Sequence, residues 1–206
     1  MPLFYQQNIN ETTKLGIWKI EEPEDFFLQK IVLQQSITHL HKRLQHMAGR
    51  YLLQFLFPDF PNSEILIADT RKPYLASEQY HFSISHCTNY AAAIASKNKR
   101  VGIDIEIANK RIEKIREKFL SAPESGFIEE VNPQIIEQLT IAWGAKEAIF
   151  KWWSYGNIDF KKHIRLQPFT VTSEKINALL LTANEIFPLK LHFKLFEELC
   201  LVWVLQ

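Results

Sequence analysis

The chain is short of cysteine, of net charge and of long apolar runs. Its 206 residues include two cysteines, Cys87 and Cys200. Two thiols cannot build a metal site by themselves, and they give no disulfide framework. The formal net charge at pH 7 is +1, which supplies no overall attraction to nucleic acid or to a membrane surface. No apolar run approaches transmembrane length, and the opening MPLFYQQNINETT lacks the charged-then-apolar pattern of a signal peptide. No internal repeat is visible by inspection. The expectation is a soluble cytoplasmic protein with neither nucleic acid nor membrane as partner. What is abundant is apolar side chain: 47% of residues are hydrophobic, enough for one domain with a real core or for two small ones.

The most informative stretch is VGIDIE, Val101–Glu106. Val101, Ile103, Ile105 and Ile107 alternate with Gly102, Asp104 and Glu106. A period of two predicts a half-buried strand and sends both carboxylates to one face. Two residues along a strand span roughly 6–7 Å, so the two side chains can converge on one small cation. Like charges so close raise each other's pKa, and a divalent ion relieves them. Taken alone, a D-x-E strand is more often a solvated polar face.

A second stretch, WGAKEAIFK at Trp143–Lys151, adds to this. Asn132-Pro133 reads as a helix N-cap followed by proline at the first helical position. Ile135, Ile136, Leu139, Ala142, Trp143, Phe150 and Trp153 then recur at helical spacing up to Gly156, a C-terminal stop. Glu147 and Lys151 stand four apart and share a face. An ordinary surface pair would do the same, but these two are embedded among Trp143, Ala148, Ile149, Phe150, Trp152 and Trp153.

Elsewhere the pattern predicts a first strand at Leu15–Ile20, then a helical stretch opened by Glu22-Pro23 and carrying Phe26, Phe27, Ile31 and Leu33. A helix is expected from about Thr38 to Phe55, ending before Pro58, with Arg50 inside it. Glu64–Ala68 reads as a strand and Lys72-Pro73 as a turn. In HFSISH a strand ends at Ser85-His86. Tyr90–Ser96 and the polar KNKR predict a hairpin whose second strand is VGIDIE. NKRIEKIREKFLSAPE, with Ile112, Ile115 and Phe119 at helical spacing, predicts an amphipathic helix. It is either a solvated face or, through Lys110, Arg111, Lys114, Arg116 or Lys118, a docking face for an acidic partner. Residues 160–185 look strand-rich. The alternating Leu189–Phe196 and LCLVWVL then predict a closing hairpin across a two-glutamate turn.

Gly102-x-Asp104-x-Glu106 followed by Trp143-x-x-Lys146-Glu147-x-x-x-Lys151 resembles the signature of the 4′-phosphopantetheinyl transferases, in the order and approximate spacing of the Sfp-type branch. The segment Phe82-x-x-Ser85-His86 and the Lys72-Pro73 dipeptide are similar to two further motifs of that family. The resemblance implies an α+β fold of two similar halves related by a pseudo-twofold, with the active site in the cleft between them. Residues 1–98 would be the coenzyme A-binding half and residues 99–206 the metal-binding and catalytic half.

It further implies that Asp104, Glu106 and Glu147 hold Mg²⁺, with Mn²⁺ as an alternative. Arg50, Lys72, Pro73, Ser85, His86, Asp104 and Lys151 would line the coenzyme A site, with Glu147 and Lys151 as the catalytic pair. The implied reaction carries the 4′-phosphopantetheine arm of coenzyme A to a serine of an apo acyl or peptidyl carrier protein and releases 3′,5′-ADP. That is the activity of a monomeric holo-[acyl-carrier-protein] synthase. One position departs from the pattern: Gly144 stands where the family usually has a small hydroxyl residue. Two other classes stay open on the residues alone. A metal-dependent nuclease also gathers carboxylates and a lysine, although no strong basic patch exists here to hold a polyanion. A non-catalytic module binding coenzyme A or acyl carriers would keep the Arg, Lys-Pro and Ser-His features without needing the carboxylates.

Overall fold

The computed structural model describes residues 2–33, 36–128, 133–197 and 199–206. The architecture is α+β and falls into two compact units, Met1–Val101 and Gly102–Gln206. The first unit contains β1 (Leu3–Asn8), β2 (Thr13–Lys19), α1 (Glu24–Leu28), α2 (Leu40–Leu56), β3 (Ile65–Ile67), β4 (Pro73–Leu75), β5 (His81–Cys87) and β6 (Tyr90–Ser96). Its main sheet is antiparallel in the order β1-β2-β6-β5. The small Ala91, Ala93 and Ala95 of β6 give α2 room to lie on the sheet, and Met47, Ala48, Leu52, Leu53 and Leu56 supply its apolar face.

Glycine sets how near that helix comes. A Cβ built at Gly49 of α2 would stand 2.5 Å from Cγ2 of Ile84 on β5. Around this core, Trp18, Phe26, Phe27 and Tyr51 meet edge to face.

The second unit contains β7 (Val101–Ile107), α3 (Arg116–Phe119), α4 (Ala122–Phe127), α5 (Ile135–Trp153), α6 (Phe160–His163), β8 (Ile164–Leu166), β9 (Lys175–Leu181), β10 (Ile186–Phe196) and β11 (Leu199–Leu205). Its sheet runs β7-β11-β10-β9-β8. The closing hairpin is present, with Leu191 opposite Val204 and Phe196 opposite Leu199. Leu189, Leu191 and Phe193 bury one face of it, as their alternation predicts. Helix α5 is apolar nearly all round and lies buried on β11.

Several expectations change. A strand, β1, precedes the one expected at Leu15–Ile20. The helix after Pro23 is only the five-residue α1. Tyr90–Ser96 pairs with β5, and β7 joins the other sheet beside β11. Both edges of β6 are already taken by β2 and β5, which leaves VGIDIE no place to pair there. β7 is also buried on both faces, Ile103, Asp104 and Ile105 alike.

The single amphipathic helix expected after Ile107 is broken into pieces. Residues Lys110–Ile115 form a 3₁₀ turn, capped by the Asn109 side chain, and α3 follows. A capping box at Ser121 and Glu124, with proline in the first turn, then starts α4. The expected Asn132 cap lies outside the described residues, as does one of the two glutamates of the closing turn. Helix α5 stops at Ser154, in the left-handed region at φ 71°, before Gly156 is reached. The Ser154 hydroxyl donates to the carbonyls of Lys151 and Trp152, giving the helix end the partners a glycine cap would otherwise arrange.

Gly102 is required by space. A Cβ there would lie 2.0 Å from the Ala148 carbonyl oxygen and 2.8 Å from the Trp152 nitrogen. These are backbone atoms, so relief requires α5 to move off β7. Gly102→Ala is therefore expected to cost about 3 kcal/mol, at the upper end of overpacking penalties, where a Gly→Ala change in open space would stabilise. Thermal melts of the two proteins measure the difference.

Candidate functional site

In the second unit, β7 and α5 present carboxylates to one another. Gly102, Asp104 and Glu106 share one face by the strand's period, and Gly102 shows that this face meets α5. Asp104 is 3% exposed. Its Oδ1 accepts a hydrogen bond from Lys151 Nζ at 2.6 Å. Lys151 thus spans from helix to strand instead of making only the i,i+4 pair with Glu147.

Glu106 Oε1 accepts from Trp143 Nε1 at 3.2 Å. Burial pushes the Glu106 carboxyl up to about 7, with the Asp104 charge adding to the effect and the Trp143 hydrogen bond and Lys151 opposing it. Burial also raises Glu147; there the Lys151 charge opposes and the Asp104 charge adds. The predicted Asp104, Glu106, Glu147 and Lys151 therefore share one electrostatic environment.

The donor set suits a hard divalent ion in kind, because carboxylates crowded under partial burial are the groups such an ion relieves. Among the described residues, no three His, Cys, Asp or Glu side chains stand gathered closely enough to hold a metal as they are placed. One oxygen of Asp104 faces Lys151 and one of Glu106 faces Trp143. An entering ion would take those oxygens over. The glycine that departs from the family pattern touches the same place: a Cβ at Gly144 would meet Val202 Cγ2 at 3.0 Å and Asp104 Oδ2 at 3.5 Å. A hydroxyl residue there would stand beside Asp104. Next to Glu106 opens a pocket of about 340 Å³, lined by Ile112, Ile115 and Trp143 with Asn109 and Arg111 among its polar groups.

Sequence reasoning gave Trp143 and Lys146 no role. Trp143 fixes Glu106, as above. Lys146 is fully buried and donates to Glu124 Oε2 at 2.8 Å, to the Phe160 carbonyl at 2.8 Å and to the Ile164 carbonyl at 3.0 Å. All three ammonium protons are used inside the unit. Lys146 is a structural cation.

The first unit carries the cations. Arg50 is 6% exposed, and its NH1 donates to Nδ1 of His46 at 3.2 Å. Lys72 follows the left-handed Arg71, φ 64°, in a tight turn closed by Ala68 N to Lys72 O and Arg71 N to Ala68 O. Pro73 then opens β4 opposite Ile67. Burial, with Arg100 nearby, pulls the Lys72 ammonium down to about 8. β5 runs one residue past the expected end, so the exposed His86 pairs in register with Ala91 while Ser85 is buried.

Among the described residues no helix is long and apolar enough to cross a membrane. The family model described as the 4′-phosphopantetheinyl transferase superfamily matches residues 100–203. The chain is 28% identical over 170 residues to the 4′-phosphopantetheinyl transferase AcpT of Escherichia coli (strain K12), an alignment covering 70% of this chain and 86% of that protein. AcpT of Escherichia coli O157:H7 matches to the same extent.

Proposed function

The chain belongs to the 4′-phosphopantetheinyl transferase superfamily, and from that premise we propose that it transfers the 4′-phosphopantetheine arm of coenzyme A to a serine of an apo acyl or peptidyl carrier protein. The observation that carries this reading is the Lys151–Asp104 contact at 2.6 Å. It couples a cation to carboxylates that share one electrostatic environment and would suit a pyrophosphate with its counter-ion. Arg50, Lys72 and His86, with Ser85 and Pro73 beside them, neutralise and seat the remaining phosphates. Asp104, Glu106 and Glu147 would hold Mg²⁺, or Mn²⁺ in its place. When bound, that ion supplies charge stabilisation as the phosphoanhydride opens.

The carrier serine Oγ attacks the β-phosphorus, the bond to the bridging oxygen breaks, and 3′,5′-ADP leaves with that electron pair. Lys151 Nζ offsets the charge that develops on the phosphates. The serine proton passes towards Glu147, through one water when the ion holds that carboxylate, because a metal-bound carboxylate is itself a weak base. The exposed Lys110, Arg111, Lys114 and Lys118, beside the Ile112–Ile115 pocket, offer positive charge to an acidic carrier. Arg116 is less available, its side chain being 17% exposed. The same reading takes the enzyme as a cytoplasmic monomer, which light scattering on the purified protein tests for mass.

Intact-mass spectrometry of an apo acyl carrier protein, incubated with this protein, coenzyme A and Mg²⁺, tests the reaction. The expected result is a gain of one phosphopantetheine arm that disappears with EDTA. Coenzyme A binding without any gain across several apo carriers would leave a binding module instead.

Lys72 gives this reading a pH dependence. Its ammonium titrates near 8, so the protein loses that charge as pH rises through 8. The Kd for coenzyme A is expected to rise about tenfold above that pH, the size of one charged hydrogen bond. Lys72→Arg keeps its charge throughout and should flatten the curve. Parallel curves for the two proteins by calorimetry would remove Lys72 from the site.

A further inference from the structure

Arg50 is a buried cation whose surroundings are unusual. At 6% exposure it lies in the first unit's core layer, yet among the described residues no carboxylate pairs with it. Burial lowers its pKa, and among the described residues no negative charge opposes that. Its guanidinium bonds instead to His46, one turn earlier on α2, at 3.2 Å. An arginine only donates, so His46 Nδ1 must be the acceptor, which places the imidazole proton on Nε2 and leaves the ring neutral.

That protonation state agrees with its neighbours. Burial, together with the charges of Arg50 and His86, holds the His46 pKa down at about 4. The three groups come from two elements, His46 and Arg50 on α2 and His86 on β5. They meet because Gly49 lets the helix close onto Ile84, two residues before His86. A buried guanidinium on a neutral acceptor, with the His86 imidazole beside it as a further hydrogen-bonding group, is a seat for an anion that is not itself part of the chain.

We propose that His46 is a positioning residue for coenzyme A, its Nδ1 holding the Arg50 guanidinium in the orientation that receives the ligand's phosphates. This rests on the reading of Arg50 as a phosphate contact. His46 adds no charge at neutral pH. It removes rotational freedom from a long side chain before the ligand arrives.

The test is a double-mutant cycle read by calorimetric coenzyme A binding and by transfer kinetics, using His46→Ala, His46→Asn, Arg50→Ala and the His46→Ala/Arg50→Ala double variant. Alanine is favourable in a helix, and melting temperatures check that each variant folds. His46→Ala is expected to raise Kd and KM for coenzyme A about fivefold, with kcat at saturating coenzyme A within about twofold of the parent. Asparagine can place Oδ1 where Nδ1 stood, and should restore most of the affinity. The double variant should bind no worse than Arg50→Ala alone, because His46 acts only through Arg50.

Unchanged affinity in His46→Ala, with Arg50→Ala weakened, would overturn the role of His46 alone. Additive losses, or no rescue by asparagine, would assign His46 to the packing of α2 and overturn it likewise. Unchanged binding in Arg50→Ala would instead show that the reading of Arg50 itself fails.

Discussion

Asp104→Ala is expected to lower phosphopantetheinyl transfer by at least about a thousandfold, the range seen when a preorganised charge at a reacting phosphate or oxyanion is deleted. Its melting temperature should stay close to the parent's. Two effects on stability oppose one another. The substitution deletes the 2.6 Å contact to Lys151, but the Lys151 side chain is 24% exposed and can turn to water. The Asp104 charge also crowds Glu106 and Glu147, both of which it pushes upward, so its loss relieves repulsion on two half-buried carboxylates. Sites that gather like charges trade stability for function in this way.

Asp104→Asn separates two accounts of the residue. The amide oxygen can still accept from Lys151 Nζ, so a role confined to seating Lys151 would leave much of the rate. A role as a hard anionic donor would not, and the Asn variant should be nearly as slow as the Ala variant. Initial rates by intact mass, with circular dichroism on the same samples, decide it. Transfer within about tenfold of the parent in the Ala variant would remove Asp104 from the chemistry.

What could be read from the sequence was local and periodic. The alternation of VGIDIE places Asp104 and Glu106 on one side of a strand, and the helical spacing around Arg50 puts it inside α2, because both periods are fixed by backbone geometry. Pairing between distant segments was not legible. Hairpins are the natural guess for consecutive strands, but β6 is paired on both edges and β7 joins β11, almost the whole second unit away in sequence. The glycines carried a signal that periodicity does not score. Gly49 and Gly102 each bring a helix onto a strand bearing candidate site residues, one on the helix side and one on the strand side. The breaks after Ile107 were local and could have been read, since Ser121, Pro123 and Glu124 spell a helix start. His46, by contrast, looks in the sequence like any surface histidine of an amphipathic helix; its bond to Arg50 depends on how far both are buried.

Lys146→Met is expected to cost about 3–5 kcal/mol of stability, the usual penalty for removing one partner of a buried ion pair. Glu124 accepts from the Ser121 nitrogen and hydroxyl as well as from Lys146 through Oε2, and from the Leu166 nitrogen through Oε1. This one carboxylate therefore ties the start of α4 to α5 and β8. Taking away the ammonium leaves a charge at 1% exposure with hydrogen bonds but, among the described residues, no counter-ion. It also orphans the Phe160 and Ile164 carbonyls. Adding Glu124→Gln to Lys146→Met removes the stranded charge while keeping an acceptor for the capping box, so the double variant should melt well above the single one. A double variant no more stable than Lys146→Met would mean that packing, not charge, holds this junction. Function separates the structural role from a phosphate-binding one. Assayed at a temperature where Lys146→Met is fully folded, the variant should retain KM for coenzyme A within about threefold of the parent, because Lys146 spends its three protons inside the unit. A loss of coenzyme A affinity in the folded variant would place that ammonium at the ligand after all.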